Sequence, residues 1–464
     1  MSTDDTRRVS RRDFLKLMAT YWIIMSFAPF VNWGIHLPNA AASSTTKKLE
    51  SKFKGKVIVI GAGAAGLYAA YTLKKANVDF MILEASATHG GRLRKNETFA
   101  KFPIDLGAQW IEGEKSLTKK IADDNKVVTI IDNYAIPHIW FKNQFVNRFP
   151  PEFIEFLSIL EEGDYESLSD ISFTKFALQE GYSQDIINLI EWIASEAGTS
   201  ASRLSMKERV RNEEKWTAGE NEFAFEKTYF DLINDHVASF VKDKILYNVM
   251  VKKIDYSKSI VEVTDQKGTV YTANKVIITV PITILKDGDI KFVPALPQKK
   301  VQAFKRIGMD KGMKVFLKFN KKFYKGNIIG GIKSVEYYDV AYGKKAKEPV
   351  LMAFVMGEKA ERLSQLGKDA TKELLAELDR MFGGKASASF VDAYIQDWGK
   401  EPFIRGAYSY ETVGIGNARE IGAEPVDKKL YFAGEAFNTN GHSATVQGAC
   451  ETGYNQVTNI LAGK

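Results

Sequence analysis

The chain has 464 residues, 45% of them apolar and 26% charged. This ordinary globular balance excludes a disordered or fibrous protein and leaves room for about two or three domains. Residues 1–42 hold five basic and three acidic groups, so the formal charge of +7 becomes +5 without them, too weak and too dispersed to imply nucleic acid. The lone cysteine, Cys450, excludes an intramolecular disulfide, and five scattered histidines give no metal-site spacing.

In chain order, "SRRDFLK" (Ser10–Lys16) comes first, followed by an apolar stretch from Leu17 to Ile35 and small residues at Ala40–Ala42. A charged head, an apolar middle and an A-x-A-like end make a signal sequence, and the pair Arg11–Arg12 resembles a twin-arginine export signal. The expectation is an exported, periplasmic or extracytoplasmic protein with residues 1–42 as signal and 43–54 as linker. The apolar stretch is also long enough to span a bilayer, so an uncleaved membrane anchor is the alternative.

Lys56–Ile60 is a short β-branched run, the pattern of a buried parallel strand. Gly61, Gly63 and Gly66 follow at G-x-G-x-x-G spacing. The first permits a tight turn, the second close approach of a pyrophosphate, the third close packing of the next helix on the strand. Ala64–Ala76 reads as that helix, its N-terminus offering N–H groups and a positive dipole end to phosphate. Val78–Leu83 reads as a second strand, ending at Glu84, which is placed to accept hydrogen bonds from a ribose. The unit predicts a dinucleotide and does not separate NAD from FAD. "HGGRLRK" (His89–Lys95) adds the pair Gly90–Gly91 and the forked cation of Arg92. "IDLGAQWIEG" (Ile104–Gly113) adds another glycine beside a large aromatic. Simple NAD dehydrogenases need no such second phosphate contact.

Residues 151–210 show helical periodicity ("PPEFIEFLSILEEG", "DIINLIEWIASEAG"). In "MKVFLKF" (Met313–Phe319) alternation puts Lys314, Phe316 and Lys318 on one strand face, which by pattern alone reads as solvated. "YYDVAYG" and "VLMAFVMG" read as sheet, and Ala370–Gly384 as a helix ending at glycine. Near the end, "KLYFAGEAF" (Lys429–Phe437) reads as a buried strand closing on Gly434–Glu435, and Ser443–Gly463 as a helix with Ser443 as N-cap. Gly448 and Gly453 each cost such a helix roughly 1 kcal/mol, which close packing on a neighbour or cofactor would offset.

The glycine triplet, "GGR", "LGAQW" and the terminal "YFAGE…ATVQGA…G" together resemble the flavin-containing amine oxidases, the family of monoamine oxidases, polyamine oxidases and flavin-dependent histone lysine demethylases. The resemblance covers about residues 55–462 and runs through "VPITIL" (Val280–Leu285), "FVPALPQKK" (Phe292–Lys300) and "MKVFLKF". "DWGKEPFIRGAYSY" (Asp397–Tyr410) is most similar to the polyamine oxidase and demethylase branches. The glycine pair often found near Phe225–Ile233 is missing.

The resemblance implies an α/β fold: a Rossmann-like FAD-binding domain (55–133, 216–300 and 395–464) interleaved with an α+β substrate domain (134–215 and 301–394). It implies FAD contacts at Gly61, Gly63, Ala64, Ala65 and Gly66, at Glu84 and Ala85, and at Gly90, Gly91 and Arg92. Further contacts are implied at Gly107, Ala108, Gln109 and Trp110, at Val251 and Trp398, at Gly434 and Glu435, and at Ala444, Thr445 and Val446. Monoamine oxidases link their flavin through a cysteine where Ala407 stands, which implies non-covalent FAD. A second glycine motif is absent, which argues against a separate NAD site.

Lys314 matches the family lysine that holds a water at flavin N5 and assists reoxidation. Trp398 and Tyr408 match aromatic positions packed at the flavin, where Tyr408 would orient an amine. Thr445 replaces the second aromatic wall, leaving a roomier site. Glu112 resembles the acid that faces the substrate tunnel of polyamine oxidases. The implied reaction moves a hydride from the α-carbon of an amine to flavin N5. The imine is then hydrolysed to an aldehyde or ketone, and oxygen or a periplasmic electron carrier takes the electrons. Two alternatives stay open at this point. One is an L-amino acid oxidase or desaturase of the same fold, for which Arg405 would meet a carboxylate. The other is a flavin-bound binding protein without turnover.

Overall fold

Val57, Ile58 and Val59 have no exposed surface, because Lys56–Ile60 is the middle strand of a parallel sheet covered on both faces. The computed structural model describes residues 53–132 and 138–464, so Arg11–Arg12 and the rest of the signal reading lie outside the described residues. The sheet runs Ile245–Leu246, Asp79–Leu83, Lys56–Ile60, Lys275–Ile278, Leu430–Phe432, every neighbouring pair parallel. The glycine-loop helix, Ala64–Lys75, and the C-terminal helix, Val446–Leu461, pack against each other beside it. A Cβ on Gly453 would come within 2.4 Å of the Ala65 carbonyl, so glycine there sets the helix separation.

A second, seven-stranded sheet is mostly antiparallel and is ordered Phe390–Asp397, Gly312–Phe319, Val350–Met356, Glu336–Asp339, Ile328–Ile329, His138–Phe141, Gln144–Val146. Helices Pro151–Glu162 and Gln184–Glu196 carry the periodic apolar faces read from sequence and join one core through Phe153, Phe156, Leu189 and Trp192. A small sheet of Ile111–Glu112, Glu222–Phe225 and Thr129–Ile131 lies at the cavity, with Ile111, Glu112 and Glu222 on strands paired antiparallel. Ile104, Leu106, Phe316, Phe354 and Ala407 form a core cluster that ties these layers together. The result is the expected α/β architecture with mixed sheets.

Three local expectations are corrected. The C-terminal helix begins at Val446 with Thr445 as its N-cap, while Ser443 donates its hydroxyl to Glu411 at 3.1 Å. Lys314 is not on the solvated face that pattern alone suggests: it is 4% exposed, because the segment Asp105–Gln109 lies over its side chain. Arg405, the candidate partner of a substrate carboxylate in the alternative reading, lies in a turn with φ of 55° and has its guanidinium held by Asp287 at 3.1 Å and Asp289 at 3.0 Å.

Candidate active site

One cavity of about 460 Å³ opens between the parallel sheet and the seven-stranded sheet. Its walls include every residue for which a cofactor, catalytic or substrate contact was expected, except Gly66. At Gly66 a Cβ would meet the Gly61 carbonyl at 2.0 Å, so this glycine serves the close packing of helix on strand. Gly63 precedes the first helix without any side-chain cap, and the space where its Cβ would stand is open for 4 Å. The helix N-terminus therefore presents uncapped N–H groups to the cavity, a ready anion site. Gly61 (φ 102°) and Gly91 (φ 59°) hold left-handed conformations around it.

Glu84 is buried at the end of its strand. Its Oε2 accepts from Ala62 N at 2.6 Å and its Oε1 from Ser86 N at 2.9 Å, which fixes the carboxylate at the cavity wall. Arg92 donates to the Ala407 carbonyl at 2.8 Å and to Glu435 at 2.9 Å. Glu435 also accepts from Ser409 Oγ at 2.6 Å and from Ala444 N at 3.1 Å. Burial by itself would raise the Glu435 carboxyl, but Arg92, Ser409 and Arg419 outweigh it and hold the group below the usual carboxylate range. The glycine loop, the C-terminal helix start and the apolar residues Val280, Pro281, Ile284 and Ile404 share this one cavity. An elongated dinucleotide with a planar ring system fits these donors and walls.

Lys314, Trp398, Tyr408 and Thr445 meet on the cavity wall. Lys314 Nζ donates to Gly107 O at 2.6 Å, to Asp105 O at 3.4 Å and to Gln109 Oε1. Burial pushes the lysine down from its ordinary range, against the pull of Asp105 and Glu196. Burial likewise raises the Asp105 carboxyl, opposed by Lys314 and Lys344. Trp398 donates from its indole to Leu106 O at 2.9 Å and carries Arg94 over its ring at 5.0 Å. The backbone is tight here: a Cβ on Gly107 would lie 1.7 Å from Arg92 O and 3.0 Å from the Trp398 ring. Tyr408 donates to the Glu196 carbonyl at 2.8 Å, which anchors its ring at the end of helix Gln184–Glu196. Thr445 Oγ1 accepts from Gly448 N at 2.9 Å and donates to His442 O at 2.9 Å, so its hydroxyl is spent on capping.

Glu112 also reaches the cavity, and its backbone carbonyl accepts from Gln447 at 3.0 Å. Directly across the strand pair stands Glu222. Carboxylates gathered on a cavity wall suit a cationic ligand. Glu161, Glu196 and Glu220 line the same space. Arg405 is not among the lining residues. Sequence reasoning missed Glu196 and Glu222. Glu196 could have been noticed as the acid that closes an otherwise apolar helix. Glu222 carried no such signal, since its place depends on a strand pairing across more than a hundred positions.

A family model described as "Flavin containing amine oxidoreductase" matches residues 64–461. The chain is 26% identical to probable polyamine oxidase 4 of Arabidopsis thaliana, over 89% of this chain and 88% of that one. It is 28% identical to lysine-specific histone demethylase 2 of Homo sapiens over 88% of this chain, and spans only 53% of that longer relative. Two solved structures share the fold. Putrescine oxidase bound to putrescine has a TM-score of 0.75 at 21% identity, covering 88% of this chain and 99% of that one. Cyclohexylamine oxidase from Brevibacterium oxydans IH-35A has a TM-score of 0.75 at 19% identity, with the same coverage of 88% and 99%.

Proposed function

The chain belongs to the flavin containing amine oxidoreductases, an FAD-dependent enzyme family that oxidises amines, and from that premise we propose that its substrate is a di- or polyamine. FAD, when bound, supplies the acceptor for the hydride that leaves the amine's α-carbon. The chain's own residues bind, orient and neutralise. The uncapped helix start at Ala64 and the guanidinium of Arg92, itself held by Glu435, would hold the pyrophosphate, and Glu84 would hold the ribose. Lys314, held by three oxygen acceptors, would place a donor beside the bound flavin. The ring of Tyr408 orients the amine. Ala407 offers no thiol, and Cys450 is fully buried with its thiol pushed up by burial, so the flavin is held without a covalent bond.

The observation that carries the substrate class is the facing pair Glu112 and Glu222 on the cavity wall. A second ammonium placed there makes charge-assisted contacts worth roughly 1.5–3 kcal/mol, about 10- to 150-fold in affinity. The relatives named as polyamine oxidases support the same reading. The test compares putrescine and spermidine with cyclohexylamine in the parent enzyme and in Glu112→Gln. The diamine preference should shrink selectively in the variant. Equal weakening of both classes, or a parent enzyme that prefers the monoamine, refutes the assignment.

Export belongs to the same proposal. The chain folds, loads FAD, and leaves the cytoplasm through the twin-arginine route signalled by Arg11–Arg12, and its electrons pass to oxygen or to a periplasmic carrier. Replacing both arginines by lysine should leave active, yellow enzyme in the cytoplasm. Normal export of that variant would remove the signal from the account.

A further inference from the structure

An alkylamine has a pKa near that of lysine, about 10.4, so it arrives as an ammonium at neutral pH. The nitrogen lone pair must be free before the α-carbon can give up a hydride. The proton goes either to solvent, when the neutral amine binds, or to a group at the reacting end that takes it from the bound ammonium. Lys314 Nζ is turned to the protein wall, where Asp105 O, Gly107 O and Gln109 Oε1 are its acceptors. The Tyr408 hydroxyl donates to the Glu196 carbonyl, and the Thr445 hydroxyl to the His442 carbonyl. Indole Nε1 of Trp398 donates to Leu106 O and has no lone pair to offer.

Glu196 differs from all of these. It lines the cavity, and the Tyr408 ring is tied to its own backbone. Asp105 and Glu196 are the carboxylates whose charge acts on Lys314, and Asp105 does not line the cavity. Glu196 is the last residue of helix Gln184–Glu196, which fixes its carboxylate at the cavity wall beside the Tyr408 ring. The groups around it are Tyr338, whose hydroxyl donates to Oε1 at 2.7 Å, Tyr408, and the charge of Lys314 from the long strand, with Glu161, Glu112 and Glu222 on the same cavity.

We propose that Glu196 is a catalytic residue that takes the proton from the substrate's reacting ammonium. The N–H bond breaks, an O–H bond forms on the Glu196 carboxylate, and the electron pair stays on nitrogen. An ammonium and a carboxylate become an amine and a carboxylic acid, with no net change of charge. A closed cavity favours the neutral pair over the ion pair, because desolvation penalises both charges. The proposal rests on amine oxidation and concerns the reacting nitrogen, so it stands apart from the second-ammonium role of Glu112.

The test uses the full FAD-loaded chain as parent enzyme, Glu196→Gln and Glu196→Asp, with FAD content checked first. Putrescine and cyclohexylamine are bound to the dithionite-reduced enzyme, which cannot turn over, and heats are measured near pH 7.5 in two buffers of different ionisation enthalpy. The parent enzyme should release about no proton to buffer, because Glu196 receives it. Glu196→Gln should release about one, because it can bind only the neutral amine. Its apparent affinity should also fall about tenfold per pH unit below the amine's pKa, for both amines, while Glu196→Asp recovers part of the parent behaviour. Equal proton release in parent and Glu196→Gln overturns the proposal. If Glu196→Gln binds too weakly at pH 7.5, recovery at pH 9.5 supports it, and no recovery with FAD intact overturns it. Failure of the polyamine reading shows separately, as a monoamine preference in the parent enzyme.

Discussion

Lys314 combines burial with three oxygen acceptors, so its amino group is held in place rather than solvated. Lys314→Met should slow reoxidation of the reduced flavin by about tenfold or more, equivalent to roughly 1.4 kcal/mol, while FAD content changes little. Rapid mixing of the reduced enzyme with oxygen measures this. A variant that loses only stability would assign Lys314 a packing role. Glu435 gives a pH-dependent case. Its folded carboxyl lies below the ordinary glutamate range, so its contribution is present above the unfolded value and is lost as pH falls through the folded one. Acidification below that range should free Arg92 and release FAD. Glu435→Gln should already release FAD at neutral pH, since breaking a buried pair costs about 3–5 kcal/mol. Retention of flavin by the variant in gel filtration at neutral pH would contradict this. At this scale the sequence pointed to Lys314 only through a family motif. Its alternating strand reads equally well as solvated, and the segment that covers it, Asp105–Gln109, lies about two hundred positions earlier in the chain.

The long elements followed their periodicity closely. Ala370–Phe382 ends at Gly383 in the left-handed conformation, and Pro151–Glu162 and Gln184–Glu196 lie on their apolar patterns. Caps were less legible, because they depend on tertiary partners. Ser443 is drawn to Glu411, and the cap passes to Thr445. Cross-strand neighbours such as Glu112 and Glu222 are not legible at all from local pattern. The contact between the glycine-loop helix and the C-terminal helix yields a prediction at this scale. Gly453→Ala gains about 1 kcal/mol of helix propensity, yet its Cβ would stand 2.4 Å from Ala65 O. The helices must separate at the phosphate end, so FAD occupancy should fall and the melting temperature with it. An unchanged flavin-to-protein ratio after dialysis would show that the helices can shift freely.

Strands from Lys56–Ile60, Asp79–Leu83, Lys275–Ile278 and Leu430–Phe432 converge on the parallel sheet, and the cavity is walled by segments spread from Ile60 to Ala449. A cofactor bound there holds distant segments together. Removing FAD should lower the melting temperature, and adding it back should restore it in a concentration-dependent way, by about 2.7 kcal/mol when free FAD is 100 times its Kd. The glycine motif and terminal helix made this architecture legible from sequence, since they mark the two halves of one binding site. The acidic wall emerged only once the sheets had brought remote glutamates together. Amine oxidation at this cavity goes through bound FAD, and the proposed preference is for di- and polyamines. The direct measurement is anaerobic mixing of the oxidised holoenzyme with putrescine, spermidine and cyclohexylamine, following the visible flavin band. The account predicts rapid bleaching by putrescine or spermidine, slower bleaching by cyclohexylamine, and return of colour on admitting an electron acceptor. A flavin that stays oxidised with every amine, in protein that retains its FAD, would contradict it.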